Sequence, residues 1–346
     1  MPMERDQEKQ MRLPRVTVFS LGGTISSTNS GGTGVAPTLT GEALVADVPQ
    51  IAEVAEVSAV SFRQAASGEL TVQDLVELSS EIERSADEGS NGVVVTQGTD
   101  TIEETSFVLD LLVDREIPVV VTGAMRNPTL PGADGPANLL AAIRVAAGQV
   151  ARGIGTMVVF NDNIHAARFV RKTHTSSPAT FSSAPVGPVG WISEDIPRVV
   201  LRPDPRRKIR LPDEPHGRSV AMLTITLGDD GRLLKTIEQN GYDGLVIEAM
   251  GGGHVPSVMV DALTDLSKRM PVILASRTGT GEVLRSTYGF PGSEIDLIEG
   301  GLIPAGSLDG LKSRLLLTLL LQSGATQDEI SQIFEQHLEG QPSEAL

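Results

Sequence analysis

Apolar residues occur along this chain as short continuous runs, separated by segments in which they recur at helical spacing. Two runs, residues 16–25 (VTVFSLGGTI) and 92–101 (GVVVTQGTDT), each pass through glycine to a threonine. Continuous apolar runs of this length are typical of strands in a parallel sheet, because helices cover both faces of the sheet. Ligands bind beyond the carboxyl ends of such strands. The pattern therefore predicts a site for a small polar molecule at these two ends.

The rest of the chain alternates strands with helices. Thr71 precedes a helix in which Leu75 and Ile82 share one face. Thr326 and Glu329 form a capping box for a last helix. The alternation predicts an α/β protein with a mostly parallel sheet flanked by helices. The pattern also predicts strands at residues 92–96, 118–123, 155–160, 220–225, 244–247 and 271–275, and helices at residues 102–112, 137–147, 256–269 and 308–321.

A change in composition divides the sequence. At 346 residues the chain is longer than one hydrophobic core usually supports, so we expect two domains. Proline and charged residues concentrate in residues 201–218, which is typical of a linker. We therefore predict a larger N-terminal catalytic domain over residues 15–200, with the mostly parallel sheet, and a smaller C-terminal α/β domain over residues 219–346.

Composition excludes several classes of protein. The formal net charge of −16 argues against nucleic-acid binding, which needs a surface of Lys and Arg. No apolar run reaches the ~18 residues of a membrane-spanning helix. The charged first ten residues do not resemble a secretion signal, so we expect a cytoplasmic protein. The chain has no Cys and only five scattered His, so we expect no disulfide, no thiol chemistry, no metal and no cofactor.

Residues 26–37 follow the first strand and are rich in Ser, Thr, Asn and Gly. They have too few apolar side chains to fix a conformation, so we expect a mobile loop. Because the loop directly follows Thr24, we interpret it as a lid over the site. An ordinary surface linker is the alternative.

Three residues at the strand ends, Thr24, Thr99 and Asp100, carry candidate chemistry. A phosphate-binding loop is a weak interpretation, since neither G-x-G-x-x-G nor G-x-x-x-x-G-K-[ST] occurs. A threonine hydroxyl becomes a useful nucleophile when a neighbouring base removes its proton, and a partly desolvated Lys can be that base. Lys172 is the candidate for this base, although its spacing is equally consistent with a surface Lys. Thr24 taken alone is equally consistent with a capping residue after a strand.

Several ordered segments resemble the bacterial-type L-asparaginases, threonine-dependent amidohydrolases that also include glutaminase-asparaginases. The resemblance extends from about residue 16 to the C-terminus. Residues 22–25 are similar to the family's first active-site signature, and residues 98–101 are similar to its second. Residues 118–126 with 133–139 are similar to a third stretch of the family pattern. Residues 161–175 with 179–181 are similar to the segment that bears the catalytic Lys.

This resemblance implies a role for each matched residue. Thr24 attacks the side-chain amide carbon of the substrate and becomes an acyl-enzyme ester. Thr99, Lys172 and Asp100 form a triad that activates a hydroxyl or a water, and Asp100 also binds the α-ammonium group. Ser67 binds the α-carboxylate. No metal takes part.

The resemblance also identifies oxyanion contacts and departures from the family pattern. Gly98, next to the second threonine, and Ala124 are assigned to substrate binding, with Ala124 as the oxyanion candidate. Gln97 stands where the family often has His. Gly34 or Val35 stands where the lid usually carries a Tyr that reaches the nucleophile.

A further departure concerns the residue that the family supplies across a subunit interface. No Glu falls cleanly into place there, and Tyr288, Glu282 and Glu294 are alternatives. Tyr288 is assigned to substrate binding as a candidate replacement for the lid Tyr. Its other interpretation is an aromatic anchor for the turn at residues 289–291.

The expected function is therefore hydrolysis of L-asparagine to L-aspartate and ammonia by a homodimer or homotetramer whose sites a neighbouring subunit completes. Glutamine, a D-amino acid or a transfer-RNA amidotransferase substrate are alternatives on the same fold. About fifteen residues before the first strand leave no room for the extra domain that the amidotransferase subunit has. A non-catalytic amino-acid-binding protein is the last alternative, and the joint presence of Thr24, Thr99, Asp100 and Lys172 argues against it.

Overall fold

The computed structural model describes residues 12–29, 35–37, 39–204, 207–213 and 217–336. The chain divides into two compact units, Met1–Arg207 and Lys208–Leu346. The division falls within residues 201–218, where proline and charged residues concentrate.

The first unit contains twelve strands among its described residues. They are β1 (Arg15–Gly22), β2 (Ser27–Asn29), β3 (Val35–Pro37), β4 (Glu56–Ala65), β5 (Gly92–Thr96), β6 (Val119–Thr122), β7 (Thr156–Phe160), β8 (Asn163–Ala166), β9 (Arg171–Lys172), β10 (Phe181–Ser182), β11 (Gly190–Ser193) and β12 (Ile196–Val199). Eight of them form one sheet in the order β12-β11-β8-β7-β6-β5-β1-β4. Strands β4, β1, β5, β6 and β7 are parallel, and β8, β11 and β12 add an antiparallel edge.

Helices pack on this sheet and bury the parallel strands β1, β5, β6 and β7 almost completely, whereas the parallel edge strand β4 is half-exposed. Val18, Val94 and Val120 have no exposed surface, which is why these strands read as continuous apolar runs. Leu139 and Ile143 pack against them. The helices of this unit are α1 (Gly41–Ala46), α2 (Ile51–Val54), α3 (Val72–Asp87), α4 (Ile102–Leu112) and α5 (Gly135–Ala147).

Local signals set where several helices begin. The Thr71 hydroxyl accepts from the Asp74 N–H at 3.1 Å, and the Asp74 carboxylate accepts from the Thr71 N–H at 2.9 Å, so the predicted start of α3 is confirmed as a capping box. The Thr326–Glu329 capping box is confirmed in the same way. Helix α4 has the predicted bounds, and α5 begins two residues before the prediction.

The second unit is a smaller α/β fold with its own core. Its four strands form a parallel sheet, and Ile247, Leu263 and Leu274 are fully buried between that sheet and its helices. Its elements are β13 (Val220–Thr224), β14 (Gly244–Ala249), β15 (Val272–Ser276), β16 (Ile303–Pro304), α6 (Leu234–Ile237), α7 (Val260–Ser267), α8 (Glu294–Glu299), α9 (Gly310–Gln322) and α10 (Gln327–Gln336). The predicted fold class, a larger mostly parallel sheet unit and a smaller α/β unit, is confirmed.

Three features differ from the sequence prediction. Residues 27–29 and 35–37, predicted as loop, pair as an antiparallel hairpin, and residues 30–34 of the predicted lid lie outside the described residues. The helix predicted at 256–269 begins as a 3₁₀ turn at Ser257–Met259 and becomes α7, so Pro256 precedes the helix. Strand β4 was not predicted, because its half-exposed surface gives it no continuous apolar run. No helix in the described part of the chain has the length and apolar character needed to cross a membrane.

Candidate active site

Two glycines at the end of β1 bring three strand ends into contact. A Cβ on Gly22 would lie 2.5 Å from the Ala65 carbonyl oxygen at the end of β4. A Cβ on Gly23 would lie 2.0 Å from the Gly98 backbone nitrogen after β5. Both glycines also have positive φ, +103° and +83°, where other residues are strained. Only glycine therefore allows the next residue, Thr24, to stand beside Gly98.

Thr24 begins a 3₁₀ turn, Thr24–Ser26, immediately beyond this contact. The Gly23 carbonyl accepts hydrogen bonds from the Ser26 hydroxyl at 3.0 Å and the Ser27 hydroxyl at 2.8 Å, which fixes the peptide that precedes Thr24. The Thr24 side chain is partly exposed, and its hydroxyl makes no hydrogen bond to another described residue. A ligand can therefore reach this hydroxyl.

Lys172 joins Thr99 to Asp100. Its Nζ donates to the Thr99 hydroxyl at 2.9 Å and lies 2.5 Å from Oδ1 of Asp100. The Lys172 side chain is 15% exposed, whereas the Asp100 side chain is 79% exposed. Thr99 is buried. The Lys therefore approaches the hydroxyl from the protein interior, and the Asp carboxylate faces solvent, where it can also meet a cationic group of a ligand.

Glu103 fixes the backbone of Lys172 through a hydrogen bond. This carboxylate is buried in the first turn of α4, and its Oε2 accepts from the Lys172 backbone N–H at 3.2 Å. The contact links residues 69 positions apart and fixes the main chain that carries the Nζ group. Sequence analysis did not identify it, although a Glu three residues after Asp100 is consistent with it.

Ser67 lies at the end of β4, on the other side of the β1 glycines. It is buried, and a Cβ on Gly98 would lie only 2.8 Å from its Oγ. Its backbone carbonyl accepts from the Thr101 hydroxyl at 3.2 Å. The structure therefore places Ser67 against Gly98, and Gly98 against the Gly23 that precedes Thr24; the shared role of these residues in binding stays a prediction.

Ala124 lies at the end of β6, beside β5. The preceding Gly123 is packed so closely that its Cβ would lie 2.5 Å from the Gln97 carbonyl oxygen and 3.4 Å from Cγ2 of Thr99. The Ala124 side chain is fully buried. The exposure of the whole residue, backbone included, is zero, so the role of Ala124 as an oxyanion contact stays a prediction.

Two polar residues at the start of α5 hold this loop and were not identified as functional from the sequence. Asp134 accepts from the backbone N–H groups of Met125 and Arg126 at 3.0 and 2.8 Å. Asn138 donates to the Gly123 carbonyl at 3.0 Å, and its own Oδ1 accepts from the Asn161 N–H at 3.0 Å. Their presence in residues 133–139, a segment that resembles the family pattern, was the available signal.

The remaining candidates lie in the second unit or outside the described residues. The Tyr288 ring is 44% exposed and contacts the rings of His254 and Phe290, with centroids 5.0 and 5.9 Å away. Glu294 is buried. Burial raises its pKa, but hydrogen bonds from the Tyr288 and Thr287 backbone N–H groups outweigh burial and lower the pKa overall. Glu294 thus fixes the backbone of Tyr288.

Three alternatives remain, Glu282 for the interface and Gly34 or Val35 for the lid position. Glu282 is exposed in the second unit. Val35 lies in β3, with its side chain outside the described part, and Gly34 lies outside the described residues. Within the described ranges, no group of three or more His, Asp or Glu residues is arranged to hold a metal ion.

Comparison with known proteins adds to this geometry. A family model described as asparaginase, N-terminal, matches residues 15–204, and one described as glutaminase/asparaginase C-terminal domain matches residues 219–334. A probable L-asparaginase of Deinococcus radiodurans is 38% identical over 94% of this chain and 98% of its own length. L-asparaginase 2 of Escherichia coli is 33% identical over 94% of each chain. A probable periplasmic L-asparaginase of Haemophilus influenzae is 30% identical over 93% of each chain.

Proposed function

Since this chain belongs to the asparaginase family, we propose that it hydrolyses L-asparagine to L-aspartate and ammonia through an acyl-enzyme on Thr24. The observation that carries the proposal is the contact of Lys172 Nζ with both the Thr99 hydroxyl and the Asp100 carboxylate, beside an accessible Thr24. The resemblance recognised in the motifs is confirmed by the family models over both parts of the chain.

The reaction follows from these positions. The Thr24 hydroxyl attacks the side-chain amide carbon, the carbon–nitrogen bond breaks, and the nitrogen leaves as ammonia after it takes up a proton. A water molecule then attacks the resulting ester, which releases L-aspartate and restores the Thr24 hydroxyl. The proton of the attacking hydroxyl passes through the Thr99 hydroxyl to Lys172 Nζ and from there to the leaving group, and Asp100 orients the Lys172 side chain.

Substrate binding uses the residues around Thr24. Asp100 presents an exposed carboxylate to the substrate's α-ammonium group, and Ser67 binds the α-carboxylate. The backbone at Gly98 and Ala124 stabilises the negative oxygen of the tetrahedral intermediate, a contribution of roughly 3–4 kcal/mol in acyl transfer. The close packing of Gly98 on Ser67 supports one compact site for both ends of a small amino acid.

Tyr288 is proposed as a further substrate-binding residue that replaces the lid Tyr. Its exposed ring and a backbone fixed by Glu294 support this role, since a catalytic hydroxyl must be both accessible and held. Tyr288→Phe keeps the ring and removes only the hydroxyl. A loss of about tenfold in kcat, equal to ~1.4 kcal/mol, supports the proposal. Unchanged kinetics would leave Tyr288 as an anchor of its turn.

Assembly and location are also proposals. We expect at least a homodimer, and a homotetramer from the family resemblance, with the C-terminal unit of one subunit completing the site of another. Light scattering at several protein concentrations tests this, and a monomer that retains full activity contradicts it. The expected cytoplasmic location stays a proposal because the Haemophilus influenzae relative is named periplasmic, and cell fractionation decides it.

Glutamine hydrolysis is the second candidate function. The family model over residues 219–334 names glutaminase beside asparaginase, and the same chemistry serves both amides. One methylene distinguishes the two substrates, and such a difference is worth only about 1–3 kcal/mol in discrimination. We therefore expect L-asparagine to be preferred, with slower hydrolysis of L-glutamine.

The test is ammonia release from L-asparagine, L-glutamine and D-asparagine by the wild-type chain and by Thr24→Ala. We expect the variant to lose at least about 10³-fold in kcat, because it lacks the hydroxyl that forms the ester. Thr236→Ala, which removes an exposed hydroxyl in the second unit, serves as the control. Turnover of Thr24→Ala near the wild-type rate would remove Thr24 from the nucleophile role. Absence of ammonia release by the wild-type chain from every amide would overturn the function itself.

A further inference from the structure

A chain of hydrogen bonds connects the loop after β5 to the loop after β4. Gln97 Nε2 donates to the Thr101 hydroxyl at 3.1 Å, and that hydroxyl donates to the Ser67 carbonyl at 3.2 Å. Gln97 has no exposed surface, and its Nε2 also donates to the Gly98 carbonyl at 3.3 Å. The Gln97 side chain therefore holds the Thr101 hydroxyl in the one orientation that directs its proton toward Ser67.

This chain crosses the end of a third strand. β4 and β5 are not neighbours in the sheet, because β1 lies between them. The two loops meet only because Gly22 and Gly23 have no side chains to separate them, and Gly98 packs directly on the Ser67 hydroxyl for the same reason. The position of Ser67 relative to Thr99 thus depends on the hydrogen bonds that span this gap, in addition to the sheet.

We propose that Thr101 and Gln97 are positioning residues that set where Ser67 meets the α-carboxylate of the substrate, and thereby favour amides that carry that group. The inference rests on the proposed function, since it assigns the carboxylate to Ser67. Neither Thr101 nor Gln97 touches the reacting atoms in it. Gln97 stands at a departure from the family pattern, and in this chain its amide supplies the donor that orients Thr101.

The energetic argument distinguishes this role from catalysis. Loss of the Thr101 hydroxyl leaves the contacts of Lys172 with Thr99 and Asp100 intact, because none of them passes through Thr101. Without the Thr101 hydroxyl, the Ser67 carbonyl loses a hydrogen bond and the Ser67 backbone is held less firmly. Binding of the substrate's α-carboxylate then weakens equally in the ground state and in the transition state. Uniform weakening of that kind raises KM and leaves kcat nearly unchanged.

The experiment compares Thr101→Val with Thr105→Val. Both replace a Thr by a residue of the same shape, but the buried Thr105 hydroxyl has no hydrogen-bond partner among the described residues, so its loss breaks no bond. For Thr101→Val we expect KM for L-asparagine to rise about five- to tenfold, with kcat within threefold of wild type. For Thr105→Val we expect both constants within twofold. The Kd for the product L-aspartate, measured by calorimetry, should rise by the same factor as KM.

Two further measurements separate positioning from general damage. With 3-aminopropanamide, which keeps the amide and the ammonium but lacks the α-carboxylate, Thr101→Val should have the wild-type kcat/KM. In a Ser67→Ala background, the Thr101→Val substitution should add nothing to KM. Gln97→His retains a donor and should retain a KM closer to wild type than Gln97→Leu does.

The outcomes are distinct. Wild-type turnover together with an unchanged KM in Thr101→Val would overturn the inference alone. An equal loss with L-asparagine and 3-aminopropanamide would also overturn it, because the effect would then not involve the carboxylate. A wild-type chain that neither releases ammonia nor binds L-aspartate would overturn the proposed function and this inference with it.

Discussion

Each unit of the molecule contains a Lys–Asp pair near the carboxyl ends of its parallel strands, and the two pairs differ in how they are made. Lys172 and Asp100 are separated by 72 residues and are joined at 2.5 Å, with the Asp side chain 79% exposed. Lys312 and Asp309 are three residues apart on one helical turn and are joined at 3.1 Å, with the two side chains 2% and 12% exposed.

The difference separates a candidate catalytic pair from a structural one. Asp309 is the N-cap of α9 and accepts from the Lys312 backbone N–H at 2.9 Å, so this pair fixes the start of its own helix. Lys172 instead donates to the hydroxyl of Thr99, a residue of another element, and its acid partner faces solvent. Both pairs consist of a Lys and an Asp, and they differ only in their hydrogen-bond partners and in the exposed fraction of their side chains.

The first prediction tests the catalytic side of this comparison and has the largest expected effect. Lys172→Met should lower kcat for ammonia release by about 10³-fold, because it removes the group that moves the proton. The free energy of unfolding should change little, since the Asp100 carboxylate that loses its partner is 79% exposed and stays hydrated. Steady-state kinetics over a range of pH and urea denaturation measure the two effects. Full kcat at any pH would contradict the triad.

The second prediction concerns the structural pair. Lys312→Met should lower the free energy of unfolding by about 3 kcal/mol, because it leaves a mostly buried Asp309 carboxylate without this cation. Lys268→Met is the matched control, since Lys268 pairs with Asp265 at the same spacing but both side chains are more than half exposed. That variant should lose less than about 0.5 kcal/mol. Equal losses in the two variants, measured by urea denaturation, would show that burial does not decide the difference.

The third prediction compares two Asp residues that each precede a 13-residue helix. The Asp134 carboxylate accepts hydrogen bonds from the Met125 and Arg126 N–H groups, whereas the Asp309 carboxylate caps its own helix. Asp134→Asn should therefore lower kcat about tenfold, since Asn has one acceptor oxygen and cannot hold both N–H groups.

Asp309→Asn is the matched change in the second unit. Asn is itself a good N-cap, but the change leaves the buried Lys312 ammonium without this carboxylate. It should therefore cost about 3 kcal/mol of unfolding free energy and change kcat less than Asp134→Asn does. The free energy of unfolding and kcat are measured on the same preparations. A larger kcat loss for Asp309→Asn than for Asp134→Asn would reverse the assignment of the two residues.

Local sequence by itself determined much of the scaffold of this protein. The capping boxes at Thr71 and Thr326 need only residues three positions apart, so they could be predicted without the fold. The continuous apolar runs predicted β1 and β5, because burial on both faces favours apolar side chains at most positions of these strands. The same runs located Thr24 and Thr99, since a strand that ends at glycine places the next hydroxyl at the edge of the sheet.

Only the tertiary structure decided which of these groups meet. Spacing described Lys172 equally well as a surface residue, and the family resemblance was needed to single it out, because its partner lies 72 residues away. The edge strand β4, which carries Ser67 at its end, gave no continuous apolar signal. The contacts from Glu103 to Lys172 and from Asp134 to the loop after β6 arise when strand ends converge. Hydrogen bonds between distant segments have no period in the sequence, so periodicity and spacing alone do not reveal them.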